Sequence, residues 1–221
     1  MLESYHTIAQ NGQHEIVIRG SRFLCTLERV ETEEEAKEFI NRIKKEHWKA
    51  THNCSAYLIG DHYEIQRAHD DGEPSGTAGV PMLEVLKKNE LHDVAAVVTR
   101  YFGGTKLGAG GLIRAYSKAV STALREIGLI ERSMQVPIAC TVSYSASGKV
   151  ENQLLQSPFV LLDTAYTDQV TFTVGVRAAE VESFQASMVD WTSGNVTFEV
   201  QEAQYVERRL DEIEEDEWEE E

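Results

Sequence analysis

The sequence predicts an α+β protein of two domains, and two patterns carry that expectation. Asp93–Arg100, DVAAVVTR, is a continuous apolar run of the kind that fills a central strand buried on both faces, and a glycine-rich loop and a helix follow it directly. From Gln135 onward, strand and helix signals alternate in the order β-α-β-β-α-β. The 221 residues are 42% hydrophobic and 26% charged, enough to fill two small cores.

Taken in order, His14–Val30 is rich in β-branched and aromatic residues and reads as an extended segment with a bulge or bend at Gly20-Ser21. Thr32 caps a helix, and Glu35 three residues on completes a capping box. Ala36, Phe39, Ile40 and Ile43 recur at helical spacing on its buried side. In His52–Ile59, Cys54, Ala56 and Leu58 alternate as in a strand with one buried face. A strand over Tyr63–Ala68 leads into HDDGEPSGTAGVP, a loop dense in turn formers and carboxylates. Pro81 suits a first helical turn and opens a helix over Met82–Asn89. Beyond the central strand and its glycine-rich loop, Leu112, Tyr116, Ala119, Val120, Ala123 and Ile127 share one helix face. Arg114, Lys118 and Arg125 lie roughly opposite, and Gly128 ends the helix.

The second half reads as strand Gln135–Tyr144, helix Ala146–Gln156, strands Val160–Thr167 and Val170–Val176, helix Ala179–Thr192 and strand Asn195–Glu202. That order, over about 70 residues, is a split-βαβ, ferredoxin-like arrangement. It places one domain over residues 1–132, another over 136–206, and a boundary near Ser133–Pro137. Both helices are expected on one sheet face, with Val181, Phe184, Met188 and Trp191 inward. The other face, carrying Pro137, Ala139, Thr141, Thr171 and Thr173, has no lysine or arginine, which suits protein contact better than phosphate contact. Residues 207–221 are expected to form an acidic, disordered tail, since Asp211–Glu221 holds nine acidic residues and no basic one.

A net charge of −16 argues against indiscriminate nucleic-acid binding, which depends on phosphate neutralisation. No stretch approaches the ~20 apolar residues of a membrane span, and Met1–Gln10 lacks a signal-peptide pattern, so a cytoplasmic protein without a membrane partner is expected. Cys25, Cys54 and Cys140 are odd in number and widely spaced, as free thiols in a reducing compartment would be.

Two loops hold the candidate chemistry. Gly103, Gly104, Gly108, Gly110 and Gly111 fall within nine residues and, with Thr105, frame Lys106 ahead of a helix N-terminus. Such a loop can cradle a phosphate or carboxylate with backbone N–H groups and the helix dipole, while Arg100, Lys106 and Arg114 supply charge. Glycines in this place also serve as turn chemistry, and the loop lacks the Walker A order. In the other loop His69, Asp70, Asp71 and Glu73 could hold Mg²⁺ or perform acid–base work, or could cap turns and helix starts. Ser75 has no G-x-S-x-G context, and Cys54 reads as a core residue. The ligand-binding expectation therefore rests on Arg100, Gly103, Gly104, Thr105, Lys106, Gly110, Gly111, Arg114, Asp71, Glu73 and Ser75, with no catalytic residue, metal or cofactor assigned.

HNCSAY at 52–57, DDGEPSGTAGVPML at 70–83 and VVTRYFGGTKLGAGGLIRAYSKA at 97–119 together closely resemble the IMPACT/YigZ family. The resemblance implies an N-terminal domain of ribosomal protein S5 domain 2-like α/β fold and a C-terminal domain similar to the last domain of elongation factor G. It also implies a link to translation, since eukaryotic members look like translation regulators acting through protein contacts. The leading expectation is a non-catalytic binding protein whose partner is RNA, the ribosome or a translation-associated protein. The alternative is an Mg²⁺-dependent enzyme acting on a phosphorylated metabolite.

Overall fold

A computed structural model describes residues 2–210, so the expectation of a disordered tail from 211 lies outside the described residues. The chain divides into two compact units, one holding 2–132 with 207–210 and the other Ser133–Val206.

In the first unit, β2 (Gly12–Ile18), β3 (Ser21–Arg29), β6 (Val94–Tyr101), β4 (His52–Ile59) and β5 (Ile65–His69) pair antiparallel in that spatial order. The extended segment expected over His14–Val30 is a hairpin of β2 and β3. Its two-residue turn, Arg19-Gly20, has positive φ at both positions (46° and 82°), the geometry whose twist matches paired strands. Central β6 is buried from Val94 to Arg100, and alternation divides its side chains between two cores. Val94, Ala96 and Val98 join Cys25, Leu27, Cys54, Ala56 and Leu58 beneath α2 (Gly79–Lys88) and α3 (Gly108–Ile127). Ala95 and Val97 point the other way and, with Tyr57 and Ile59, meet Ala36, Phe39 and Ile43 of α1 (Glu33–Glu46).

Helix α1 begins where the capping box is complete. Thr32 Oγ1 accepts the Glu35 N–H at 3.2 Å, and the Glu35 carboxylate accepts the Thr32 N–H at 3.3 Å. Helix α2 starts two residues ahead of Pro81, and α3 takes Gly108, Gly110 and Gly111 into its first turn.

Strand β7 (Leu129–Val142) carries the chain into the second unit without a loop, so the boundary expected near Ser133–Pro137 falls inside one continuous strand. Within that unit β10 (Thr197–Val200), β7, β9 (Val170–Val176) and β8 (Val160–Tyr166) are neighbours in that order, all antiparallel. Val150 and Leu154 of α4 (Tyr144–Leu155) and Phe184 and Met188 of α5 (Val181–Thr192) share one apolar cluster with Ile138, Cys140 and Phe172. Val181 and Trp191, expected inside, lie at its half-buried edge. The other sheet face is less open than expected, because Pro137 and Ala139 are buried and the Thr141 and Thr171 hydroxyls pair at 2.9 Å.

Two strands were not anticipated, β1 (Ser4–Ile8) and β11 (Gln204–Arg209), and both pair with β7. Strand β11 overturns the expectation that a tail begins at 207. Glu207 pairs with Arg29 at 2.7 Å and Arg132 at 3.4 Å, and the Leu210 N–H bonds the Leu129 carbonyl. No helix among the described residues is long and apolar enough to cross a membrane.

Replacing Thr32 by alanine removes one half of the capping box, and thermal or urea unfolding is expected to report a loss of about 1 kcal/mol with the fold unchanged.

Candidate functional site

The two glycine-rich loops leave the same end of the five-stranded sheet. In register there, Phe23 of β3 and His52 of β4 flank Arg100 of β6, and His69 of β5 lies beside Ser55. The loop after β5 is ordered by its carboxylates. The Asp70 side chain accepts backbone N–H bonds from Gly76 (2.8 Å), Ala78 (3.1 Å) and Gly79 (2.9 Å), so it caps α2 from outside the helix. Burial acts to raise the Asp70 carboxyl, but the three amides together outweigh it and hold the group below its ordinary value. Asp71, at φ 48°, gives one oxygen to the Asn53 N–H (2.7 Å) and the other to Lys44 (2.6 Å). Gly79 packs so closely on the His69 backbone that a Cβ would lie 2.5 Å from its nitrogen.

Glu73 turns inward from this loop and is 8% exposed. Its Oε1 meets Arg100 Nη1 at 2.6 Å and accepts the Tyr116 hydroxyl at 2.8 Å. Its Oε2 lies 3.7 Å from His52 Nε2. Because His52 Nδ1 contacts the Asp71 carbonyl at 2.8 Å and a carbonyl can only accept, Nδ1 carries a proton. The Arg100 guanidinium lies between the Phe23 and Phe102 rings, 5.3 and 5.6 Å from their centroids. Its Nη2 reaches Ser21 Oγ at 3.4 Å, while its buried Nε has no partner among the described residues. Burial, then the neighbouring Cys54 and Glu73, push the Tyr116 phenol far above its usual range. Burial likewise pushes the Cys54 thiol up to about 12, so Cys54 is a core residue, 3.4 Å from the Tyr116 hydroxyl.

The expected ligand residues separate into two groups. Arg100 is a correction: it is 5% exposed and its charge is engaged by Glu73, so it offers no surface contact to phosphate. Glu73 is corrected in the same way, holding a buried cation, whereas Asp71 is exposed and its two oxygens are engaged by the Asn53 N–H and Lys44. Gly103 answers to packing, since a Cβ there would fall 1.9 Å from the Gly20 carbonyl carbon. Gly104 and Gly108 have positive φ, 91° and 70°, with open space where a Cβ would be. Thr105, Lys106, Gly110 and Arg114 are exposed, Gly111 is half-buried, and Ser75 is exposed in the other loop. Helix α3 opens with no side-chain cap and no acidic residue in its first turn, leaving its first N–H groups free of side-chain partners. Neither Lys106 nor Arg114 has an ion-pair partner among the described residues. Among the described residues no three His, Cys, Asp or Glu side chains are placed to share a metal ion.

Sequence reasoning missed the roles of Tyr116 and Ser21. Tyr116 was legible only as a core position, and Ser21 only as part of a bend, though its hydroxyl accepts the Gly103 N–H at 3.1 Å.

Removing one partner of a buried pair strands the other charge, so Glu73→Leu or Arg100→Met is each expected to cost about 3–5 kcal/mol in urea unfolding. The double variant is expected to recover most of that loss, and a double-mutant cycle checks it. Asp70 sets an acid limb. Its ionised form is the one the amides hold, so its stabilisation is full above the ordinary carboxyl value of 3.8 and is lost as pH falls through the lower folded value. The stability gap between the protein and Asp70→Asn is expected to be constant near neutrality and to close in acid, as read by chemical denaturation across pH.

Two family descriptions match the chain: the Impact N-terminal domain over residues 19–124, and a domain of unknown function, DUF1949, over residues 140–195. IMPACT family member YvyE of Bacillus subtilis (strain 168) is 54% identical over 98% of this chain and 100% of its own length. IMPACT family member YigZ of Escherichia coli (strain K12) is 34% identical over 81% of this chain and 89% of its own. A crystal structure of a hypothetical protein is similar with a TM-score of 0.58 at 32% identity, covering 90% of this chain and 97% of that one. The three motifs that meet at the sheet end lie inside the first matched region, and the end-to-end likeness to the Bacillus relative extends the assignment to the whole: the chain belongs to the IMPACT family.

Proposed function

We propose that this is a non-catalytic cytoplasmic protein that binds a phosphate-bearing partner, RNA, at the start of α3. The observation that carries the reading is an uncapped helix N-terminus set in exposed glycines and flanked by Lys106 and Arg114, two cations without ion-pair partners among the described residues. Free N–H groups and the positive end of the helix dipole favour an anion there, and the two side chains add full charge. Gly104 and Gly108 keep side chains out of the approach. A protein partner, such as a translation-associated factor or the ribosome, fits the same surface through its exposed Phe102 and Ile113.

The Mg²⁺-dependent alternative needs a carboxylate with free lone pairs in the Asp70–Glu73 loop. Asp70, Asp71 and Glu73 are each held by two or more protein donors, which counts against it. The link to translation rests on the family resemblance. The strand order β10-β7-β9-β8, with both helices in one apolar cluster, supports a ferredoxin-like reading of the second unit, and the antiparallel sheet between α1 and the α2–α3 pair supports an S5 domain 2-like reading of the first.

Fluorescence anisotropy with a structured RNA at two salt concentrations tests the proposal. Binding is expected at low salt and is expected to weaken as salt rises; Lys106→Ala and Arg114→Ala are each expected to reduce the log–log salt slope by about 1. Absence of binding at low salt, or affinity unchanged in both variants, would overturn the RNA reading.

A further inference from the structure

In a chain of net charge −16, helices α2 and α3 together hold Lys87, Lys88, Arg114, Lys118 and Arg125 against only Glu84 and Glu126. Arg114, Lys118 and Arg125 stand at i, i+4 and i+11, so they form one exposed stripe along α3. Neither Arg114 nor Lys118 has an ion-pair partner among the described residues, while Glu84 is held by Lys87 at 3.3 Å and Glu126 lies 3.9 Å from Arg125. Near the start of the helix, Ile113 and Phe102 are exposed apolar side chains, at 41% and 48%. The described chain stops at the other end of α3. There the Leu210 N–H bonds the Leu129 carbonyl, a Cβ on Gly128 would lie 3.0 Å from the Arg209 guanidinium, and Leu210 packs half-buried on the apolar cluster that holds Ile127. Residues 211–221, which follow, read DEIEEDEWEEE: nine carboxylates, no basic residue, and two apolar side chains, Ile213 and Trp218.

We propose that residues 211–221 dock along the outer face of α3 as an acidic strap. Charge complementarity selects this occupant for the basic stripe, and reach permits it. Eleven extended residues span at most about 36–40 Å, and a 20-residue helix is about 30 Å long, so a segment that starts beside the last turn of α3 can extend to its first. The order of its residues fits that path. Asp211 and Glu212 start near Arg125, and the run Glu214–Glu217 comes level with Lys118 and Arg114. Trp218, eight residues past Leu210 and within about 26–29 Å of it, reaches Ile113, which lies about 21 Å up the helix from Ile127. Glu219, Glu220 and Glu221 then arrive at Lys106 and the uncapped amides, where the helix dipole favours a carboxylate. Each exposed ion pair is weak by itself. Tethering offsets that, because it holds the segment at an effective concentration of about a millimolar. A strap in this position places carboxylates where a phosphate would bind, so it competes with RNA. Only that consequence rests on the RNA reading; the docking stands on charge and reach.

A nitroxide attached to the full chain through Glu219→Cys, read by broadening of amide NMR signals, tests the docking; Cys25, Cys54 and Cys140 are buried, so the label goes to position 219. At low salt the broadening is expected to concentrate on residues 106–118. It is expected to disappear in about 1 M salt, where the screening length falls to about 3 Å. Lys118→Glu/Arg125→Glu, at two exposed positions outside the proposed RNA contact, is expected to abolish it with the rest of the amide spectrum unchanged. Glu214→Gln/Glu215→Gln/Glu217→Gln, which leaves α3 intact, is expected to do the same. Broadening confined to the neighbourhood of Leu129 and Leu210, centred on another surface such as the lysines of α1, or unaltered by salt and by both variants would overturn the proposal. Structured RNA is expected to release the broadening. RNA that binds and leaves it in place would overturn the competition, whereas intact broadening with no RNA binding would overturn the RNA reading alone.

Discussion

The buried ion pair of Glu73 and Arg100 is the constraint on which the functional end of the first unit depends. Each ion costs several kcal/mol to remove from water, and mutual attraction offsets that only where the geometry is good and other donors help. Here the second donor is Tyr116, from the third turn of α3, and the cation lies between two aromatic rings. Four segments therefore answer to one carboxylate: the loop after β5, the end of β6, the start of β4 through His52, and α3. Any displacement that separated the pair would leave two buried charges uncompensated, so the glycine-rich loops are held in register although most of their residues are exposed.

That constraint explains why so many glycines cluster around it. With Arg100 fixed in place, Ser21 is drawn to its guanidinium and to the Gly103 N–H, which brings the Arg19-Gly20 turn against the loop after β6. The contact is backbone on backbone, and only glycine at 103 permits it. Gly79 likewise lets α2 start against the His69 backbone, where Asp70 can reach its first amides. Gly104 and Gly108 have no such neighbour, and their positive φ bends the chain outward ahead of α3. One loop thus contains glycines of both kinds, which spacing alone does not distinguish.

Much of the fold was legible because its signals are local. The Thr32–Glu35 box, the alternation of His52–Ile59 and the apolar run of β6 each name their structure within a few residues. Strands β1 and β11 were not legible, because their pairing with β7 joins positions distant in sequence and their short segments lack a strong pattern. Among site residues, Lys106 and Arg114 were found as exposed cations, whereas Arg100 was misread as one. The signal that could have corrected it was parity. Arg100 shares its face with Val94, Ala96 and Val98, so it points into the core beneath α2 and α3, and a charge placed there requires a buried carboxylate. Which carboxylate answered it depended on a loop conformation that residue order does not encode.

The same alternation separates two chemistries along β4. His52, Cys54, Ala56 and Leu58 face α2 and α3, where the polar members are enclosed and satisfied, while Ser55 and Tyr57 face α1 and line an open groove. Asp71 is the residue that spans both. One of its oxygens holds the Asn53 N–H at the start of β4, and the other holds Lys44 at the groove.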